Sequence, residues 1–84
     1  MHSIIVFYSK TDSRSLRTFS LIKILAKKVK DVCIVAFDVS TQPGLAFAIK
    51  KRINIIPSLI IDGNTTIEGI PYSEKQILNH FRKD

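Results

Sequence analysis

Apolar and polar residues follow one another along this chain in blocks whose period changes several times. Ser3 to Tyr8 carries the continuous apolar run Ile4-Ile5-Val6-Phe7-Tyr8. Its length and β-branching predict a strand buried on both faces, as in a parallel sheet. Ser9 to Ser15 is polar, and Thr11, Asp12 and Ser13 are each good helix N-caps. From Ser13 to Lys30 the period becomes helical. Leu16, Phe19, Ile22, Ala26 and Val29 fall on one face, widened by Leu25, with Ser20, Lys23, Lys27 and Lys30 opposite. Lysines at the end of such a helix suit the negative pole of its dipole. Val32 to Val39 predicts a second buried strand. Strand, helix and strand in this order imply a right-handed parallel βαβ unit.

A second helix is predicted from Pro43 to Lys51, with Leu45, Ala46, Phe47 and Ile49 as its apolar part and Gly44 weakening it slightly. The stretch Ile56-Pro57-Ser58-Leu59-Ile60-Ile61-Asp62-Gly63 organises the rest. Proline is tolerated at the opening of a strand, where no ladder N–H is needed. Asp62-Gly63-Asn64 supplies a turn, and Thr65 to Glu68 returns as the second arm of a hairpin. Ile56-Pro57 is also a bond of the type that can be cis. Ser73, with Gln76 three residues on, forms a capping box for a last helix striped by Ile77, Leu78 and Phe81. The order is β-α-β-α-β-β-α. It predicts an α/β architecture, a four-stranded mixed sheet with three helices, two on one face and one on the other.

Composition narrows the class. The chain has 84 residues and no repeat or linker, so residues 1–84 are expected to form a single domain. Hydrophobic residues make up 45%, enough for a packed core. The longest apolar runs are a few residues, which argues against a membrane span. The first residues lack the pattern of a signal peptide, and one cysteine, Cys33, allows no internal disulfide. Both favour a cytoplasmic setting, and a monomer or weak dimer is expected. The net charge of +6 favours anionic partners, nucleic acid among them. The basic residues are spread along the chain and the aromatics do not interleave with them, so a lysine-rich solvated surface is the simpler reading.

The order of elements, with a proline opening the third strand, resembles the thioredoxin fold, and nearly the whole chain takes part. The very small archaeal thioredoxin/glutaredoxin-like proteins are the group it looks most like. Ile5-Val6-Phe7-Tyr8-Ser9-Lys10-Thr11 is similar to their first strand and the approach to the redox loop. Ile53-Asn54-Ile55-Ile56-Pro57-Ser58 is similar to their cis-proline segment. Ile60-Ile61-Asp62-Gly63-Asn64 and Ile67-Glu68-Gly69 resemble their hairpin and the glycine after it. The resemblance places the two redox cysteines at Asp12 and Ser15, where the sequence reads Asp12-Ser13-Arg14-Ser15. It implies a module that binds an extended peptide or a glutathione-like thiol, pairing with the backbone at Ile56 before Pro57. Asp12, Ser13, Arg14, Ser15, Gly69 and Ile70 would form the walls of that groove. No catalytic residue, cofactor or metal is implied.

The chemistry of the loop decides between this reading and its rivals. Asp12 places a carboxylate where a helix N-terminus would favour a thiolate, and it can cap the helix as well. Ser15 as a nucleophile needs a base, and the histidines, His2 and His80, stand near the chain ends. Tyr8, Ser9, Ser13 and Ser15 can imitate the hydroxyl of a glutathione transferase, an enzyme of the same fold that needs a second helical domain. Cys33 opens the second strand, far from Asp12 and Pro57, and is expected to be a buried structural residue. Disulfide exchange through Cys33 is the rival enzymatic reading. One cysteine and a distant histidine do not make a zinc site. Lys10, Arg14 and Arg17 flank the loop and can recognise a carboxylate or phosphate.

Overall fold

A computed structural model describes residues 2–69 and 74–81. The elements are β1 (His2–Tyr8), α1 (Ser13–Lys28), β2 (Val32–Asp38), α2 (Gln42–Lys50), β3 (Ser58–Ile61), β4 (Thr65–Glu68) and α3 (Glu74–Phe81). They form one four-stranded sheet in the order β2-β1-β3-β4. β1 pairs in parallel with β2, with Ile5 opposite Val35. β1 pairs antiparallel with β3, with Ile5 opposite Ile60, and β3 with β4. The fold class is the α/β mixed sheet that the hydrophobic pattern predicts. Ser73, the expected cap of α3, lies outside the described residues.

The two faces of the sheet follow from strand alternation. Ile4, Val6, Leu59, Ile61 and Ile67 face α1 and α3, where they pack with Ile22, Leu25, Ile77 and Phe81. Phe7 and Ile60 face α2 and meet Ala48, with Phe37 and Phe47 half-buried beside them. Two helices therefore cover one face and one helix the other. The hairpin turn puts Asp62 and Gly63 at φ 52° and 75°. Aspartate and glycine are the residues that tolerate such angles. Asp62 also ties the turn to the start of β1, accepting the Ser3 N–H at 2.8 Å and lying 2.9 Å from His2 Nδ1.

Four expectations need correction. The buried stripe of α1 is Ser15, Thr18, Ile22 and Leu25, while Leu16 is 65% exposed and Ala26 is exposed. Small hydroxyl residues let the helix approach the sheet. Their polar atoms are satisfied, Ser15 Oγ by the Ser9 N–H and Thr18 Oγ1 by the Arg14 carbonyl. The helix ends at Lys28 rather than Lys30, because Val29 has already turned extended (φ −118°, ψ 119°) to pack on the core. β2 is not buried on both faces. β3 takes the other side of β1, which leaves β2 on the sheet edge with Cys33, Val35 and Ala36 exposed. The cysteine expected to be buried is exposed for that reason.

In α2, Leu45 and Ile49 are exposed, and the buried positions are Gly44 and Ala48. The helix starts at Gln42, capped by Thr41, whose hydroxyl accepts the Gly44 N–H at 3.2 Å. Gly44 does more than lower helix propensity. A Cβ there would stand 2.0 Å from the Asp38 carbonyl oxygen, so glycine allows the close approach of helix and strand. After the C-cap Lys51, Arg52 sits at φ 59°. The Arg52 N–H bonds the Ile49 carbonyl and the Ile53 N–H bonds the Ala48 carbonyl. That is the Schellman arrangement, with arginine where glycine is usual.

Candidate functional site

The sequence candidates gather where β1 ends. Beyond Tyr8 the chain turns through Ser9, Lys10 and Thr11 into α1. The Asp12 N–H bonds the Ser9 carbonyl at 3.1 Å, and the Ser15 N–H bonds the Asp12 carbonyl at 3.0 Å. Asp12 is the N-cap of α1, its Oδ1 accepting the Arg14 N–H at 2.9 Å. The Arg14 side chain folds back on the same carboxylate, with Nε 3.2 Å from Oδ1 and Nη2 3.0 Å from Oδ2. The guanidinium holds the Asp12 carboxyl below the usual aspartate range, and the capping N–H adds to this. Asp12 is therefore an ion-paired cap rather than a lone anion. Arg14, offered by the sequence as a ligand for carboxylate or phosphate, is already engaged.

The hydroxyls of Ser9, Thr11 and Ser15 are committed as well. Ser15 is buried and accepts the Ser9 N–H at 3.2 Å. Ser9 Oγ and Thr11 Oγ1 pair at 3.1 Å, and the Tyr8 ring packs edge-on against Phe19. Ser13 and Arg17 are exposed. His2 is at the start of β1, stacked on Phe81 with ring centroids 4.2 Å apart. His80 precedes Phe81 at the end of α3, so neither histidine is placed beside Ser15 to act as its base.

The proline segment arrives at the same end of the sheet. Ser58 registers with Phe7 on one side and Glu68 on the other, which sets Pro57 next to the end of β1. The Ile56-Pro57 bond is cis, Pro57 is buried, and Ile55 is exposed. The Gly69 N–H bonds the Pro57 carbonyl at 2.8 Å, with Gly69 at φ 81°. The Ser58 hydroxyl bonds the Ile55 carbonyl. Asp12 to Ser15, Ile56-Pro57 and Gly69 thus share one end of the sheet, while Ile70 lies outside the described residues. Cys33 registers with Ser3 at the opposite end, roughly 17 Å along β2 from Asp38 at the spacing of an extended strand.

Asp38 was missed by sequence reasoning. It closes β2 in register with Tyr8, and its Oδ1 accepts both the Ser40 hydroxyl at 2.6 Å and the Ser40 N–H at 2.9 Å. These bonds lower its pKa. Its Oδ2 is buried without a hydrogen-bond partner among the described residues, with Lys10 Nζ 4.0 Å away. The available signal was the aspartate ending an apolar strand just before Ser40-Thr41, a pattern that favours a side-chain-capped turn.

No family sequence model matches the chain. No curated protein matches it in sequence. Solved structures do match in shape. The malaria parasite's thioredoxin-2, described as a component of its protein secretion machinery, superposes with a TM-score of 0.86 at 13% identity, over 100% of this chain and 84% of that one. The chain has the thioredoxin fold. Chloroplastic thioredoxin z matches with a TM-score of 0.79 at 22% identity, over 95% of this chain and 74% of the other. Mitochondrial thioredoxin 3 of Saccharomyces cerevisiae gives 0.78 at 17%, over 94% and 74%. Identities this low establish the thioredoxin fold and leave the chemistry to the residues at its site.

Proposed function

We propose that this chain is a thioredoxin-like recognition module that binds an extended peptide or a glutathione-like thiol without conventional disulfide exchange. The observation that carries the reading is the state of the loop. Where the thioredoxin resemblance calls for two cysteines, Asp12 is a capping carboxylate clamped by Arg14, and Ser15 is a buried hydroxyl bonded to the Ser9 N–H. Exchange needs an attacking thiolate and a resolving thiol within reach of one another. The single cysteine is at the other end of the sheet. Binding needs less, namely a backbone free to pair and walls to flank it. In this reading Ile56, before Pro57, offers the backbone and Asp12 to Ser15 with Gly69 flank it, and strand-like pairing draws its affinity from main-chain hydrogen bonds. No described helix is long and apolar enough to cross a membrane.

An amide chemical-shift titration with glutathione and with a short extended peptide tests the reading. Shifts clustered at Asp12 to Ser15, Ile56 and Gly69 are the expected result. Shifts elsewhere, or none at millimolar ligand, would overturn it. One feature favours a second reading, exchange through the exposed thiol of Cys33. A disulfide-reduction assay separates the two. The module reading expects no turnover above background, whereas turnover abolished by Cys33→Ser would establish the enzyme.

A further inference from the structure

The two edges of the sheet are built differently. β4, at one edge, is four residues long and presents exposed Thr66 and Glu68. Short length and a charged side chain are the usual guards of an edge against pairing with another strand. β2, at the other edge, is seven residues long and reads Val32-Cys33-Ile34-Val35-Ala36-Phe37-Asp38. It has no charge before Asp38 and no proline, and Cys33, Val35 and Ala36 are exposed. Among the described residues no strand lies on its outer side.

The ladder shows which backbone groups are open. The His2 N–H bonds the Asp31 carbonyl and the Val39 N–H bonds the Tyr8 carbonyl. Parallel pairing uses alternate residues of a strand, so 31, 33, 35, 37 and 39 turn toward β1. The N–H and C=O groups of Val32, Ile34 and Ala36 point outward.

We propose that this edge pairs with the β2 edge of a second copy of the chain, antiparallel about a two-fold axis at Ile34, to give a continuous eight-stranded sheet. The occupant is argued from self-complementarity. An outward edge of this kind accepts only another extended strand, and a two-fold axis makes each copy supply it. Centring on Ile34 lets the Ile34 residues of the two copies exchange both backbone bonds and sets Val32 of each against Ala36 of the other. The intervening pair is Cys33 of one copy beside Val35 of the other, which covers both exposed side chains. The same antiparallel register sets the exposed Lys30 of one copy opposite Asp38 of the other. Cys33 of one copy stands diagonal to Cys33 of the other, too far for a disulfide without backbone movement. A seam of one strand pair is smaller than the interfaces that hold permanent dimers, so the association is weak and concentration-dependent.

Sedimentation equilibrium of the full chain from micromolar to millimolar concentration is the test, joined to isotope-filtered NOE spectra on a mixture of labelled and unlabelled protein. The expected result is an average mass rising toward the dimer, with intermolecular NOEs between Val35 methyls and the Cys33 β-protons. Ala36→Pro removes an outward N–H that the monomer does not use, and Val35→Lys places a charge in the seam. Each folded variant is expected to remain monomeric. If Ala36→Pro fails to fold, Val35→Lys decides. A wild-type chain that stays monomeric at millimolar concentration would overturn the proposal, as would NOEs through β4 or α2, or a Val35→Lys variant that dimerises like the wild type.

Discussion

At the start of α1 one carboxylate both caps a helix and neutralises an arginine. Asp12, Asp38 and Asp62 all have lowered pKa values, chiefly through the Arg14 side chain, the Ser40 hydroxyl and the Ser3 N–H respectively. A carboxylate whose folded pKa lies below its unfolded value stabilises the fold above the ordinary aspartate range and loses that contribution as pH falls through it. The urea midpoint should therefore be level from about pH 7 to 5 and decline below about pH 4. Arg14→Ala should make the decline shallower, and a midpoint rising on acidification would contradict this account. Two backbone positions pull in opposite directions. Arg52→Gly relieves a side chain held at positive φ and should stabilise by about 1 kcal/mol, raising the melting temperature by roughly 4–8 °C. Gly44→Ala improves helix propensity yet drives a methyl into the Asp38 carbonyl, and should destabilise by about 1–3 kcal/mol or more. Chemical denaturation of both variants checks the pair.

Among the elements, α1 shows what periodicity can and cannot say. The positions Leu16, Ile22, Leu25 and Phe19 all read as apolar, but the helix is rotated so that Ser15 and Thr18 go inward and Leu16 goes out. Leu25→Ala should cost about 3–5 kcal/mol, and Leu16→Ala should stay within about 0.5 kcal/mol. Equal costs in thermal melts would restore the helical-wheel assignment. The seven elements, their order and the division of helices between the faces were legible because each carries a strong local signal. Examples are the β-branched runs of β1 and β3, the Asp-Gly turn and the cap at Asp12. The edge position of β2 was not legible. Strand order depends on which side of β1 takes β3, a non-local pairing that the composition of Val32 to Asp38 does not reveal. At the site, the positions of Asp12, Ser15 and Pro57 could be read, whereas the Arg14 clamp depends on a rotamer and Asp38 on a turn.

For the molecule as a whole, the loop chemistry is separable from the scaffold. Ser15 is buried and Asp12 is the half-exposed cap one turn before it, so the combined variant Asp12→Cys with Ser15→Cys has one exposed and one sheltered thiol at a helix N-terminus. It should show more disulfide reductase activity than the wild type in an insulin-precipitation assay. A folded variant with no gain would show that the two thiols alone do not confer exchange on this scaffold. The core is divided unequally. Among the described residues nine buried apolar side chains unite the sheet with α1 and α3, while three, Phe7, Ala48 and Ile60, lie on the α2 face beneath a half-buried aromatic cluster. Local opening is easiest where the least apolar surface must be exposed. Helix α2 can therefore lift from the sheet while the other face stays closed. In native-state hydrogen exchange its amides should exchange through a smaller opening than those of α1 and β3, making α2 the first cooperative unit to leave the folded molecule and the last to rejoin it.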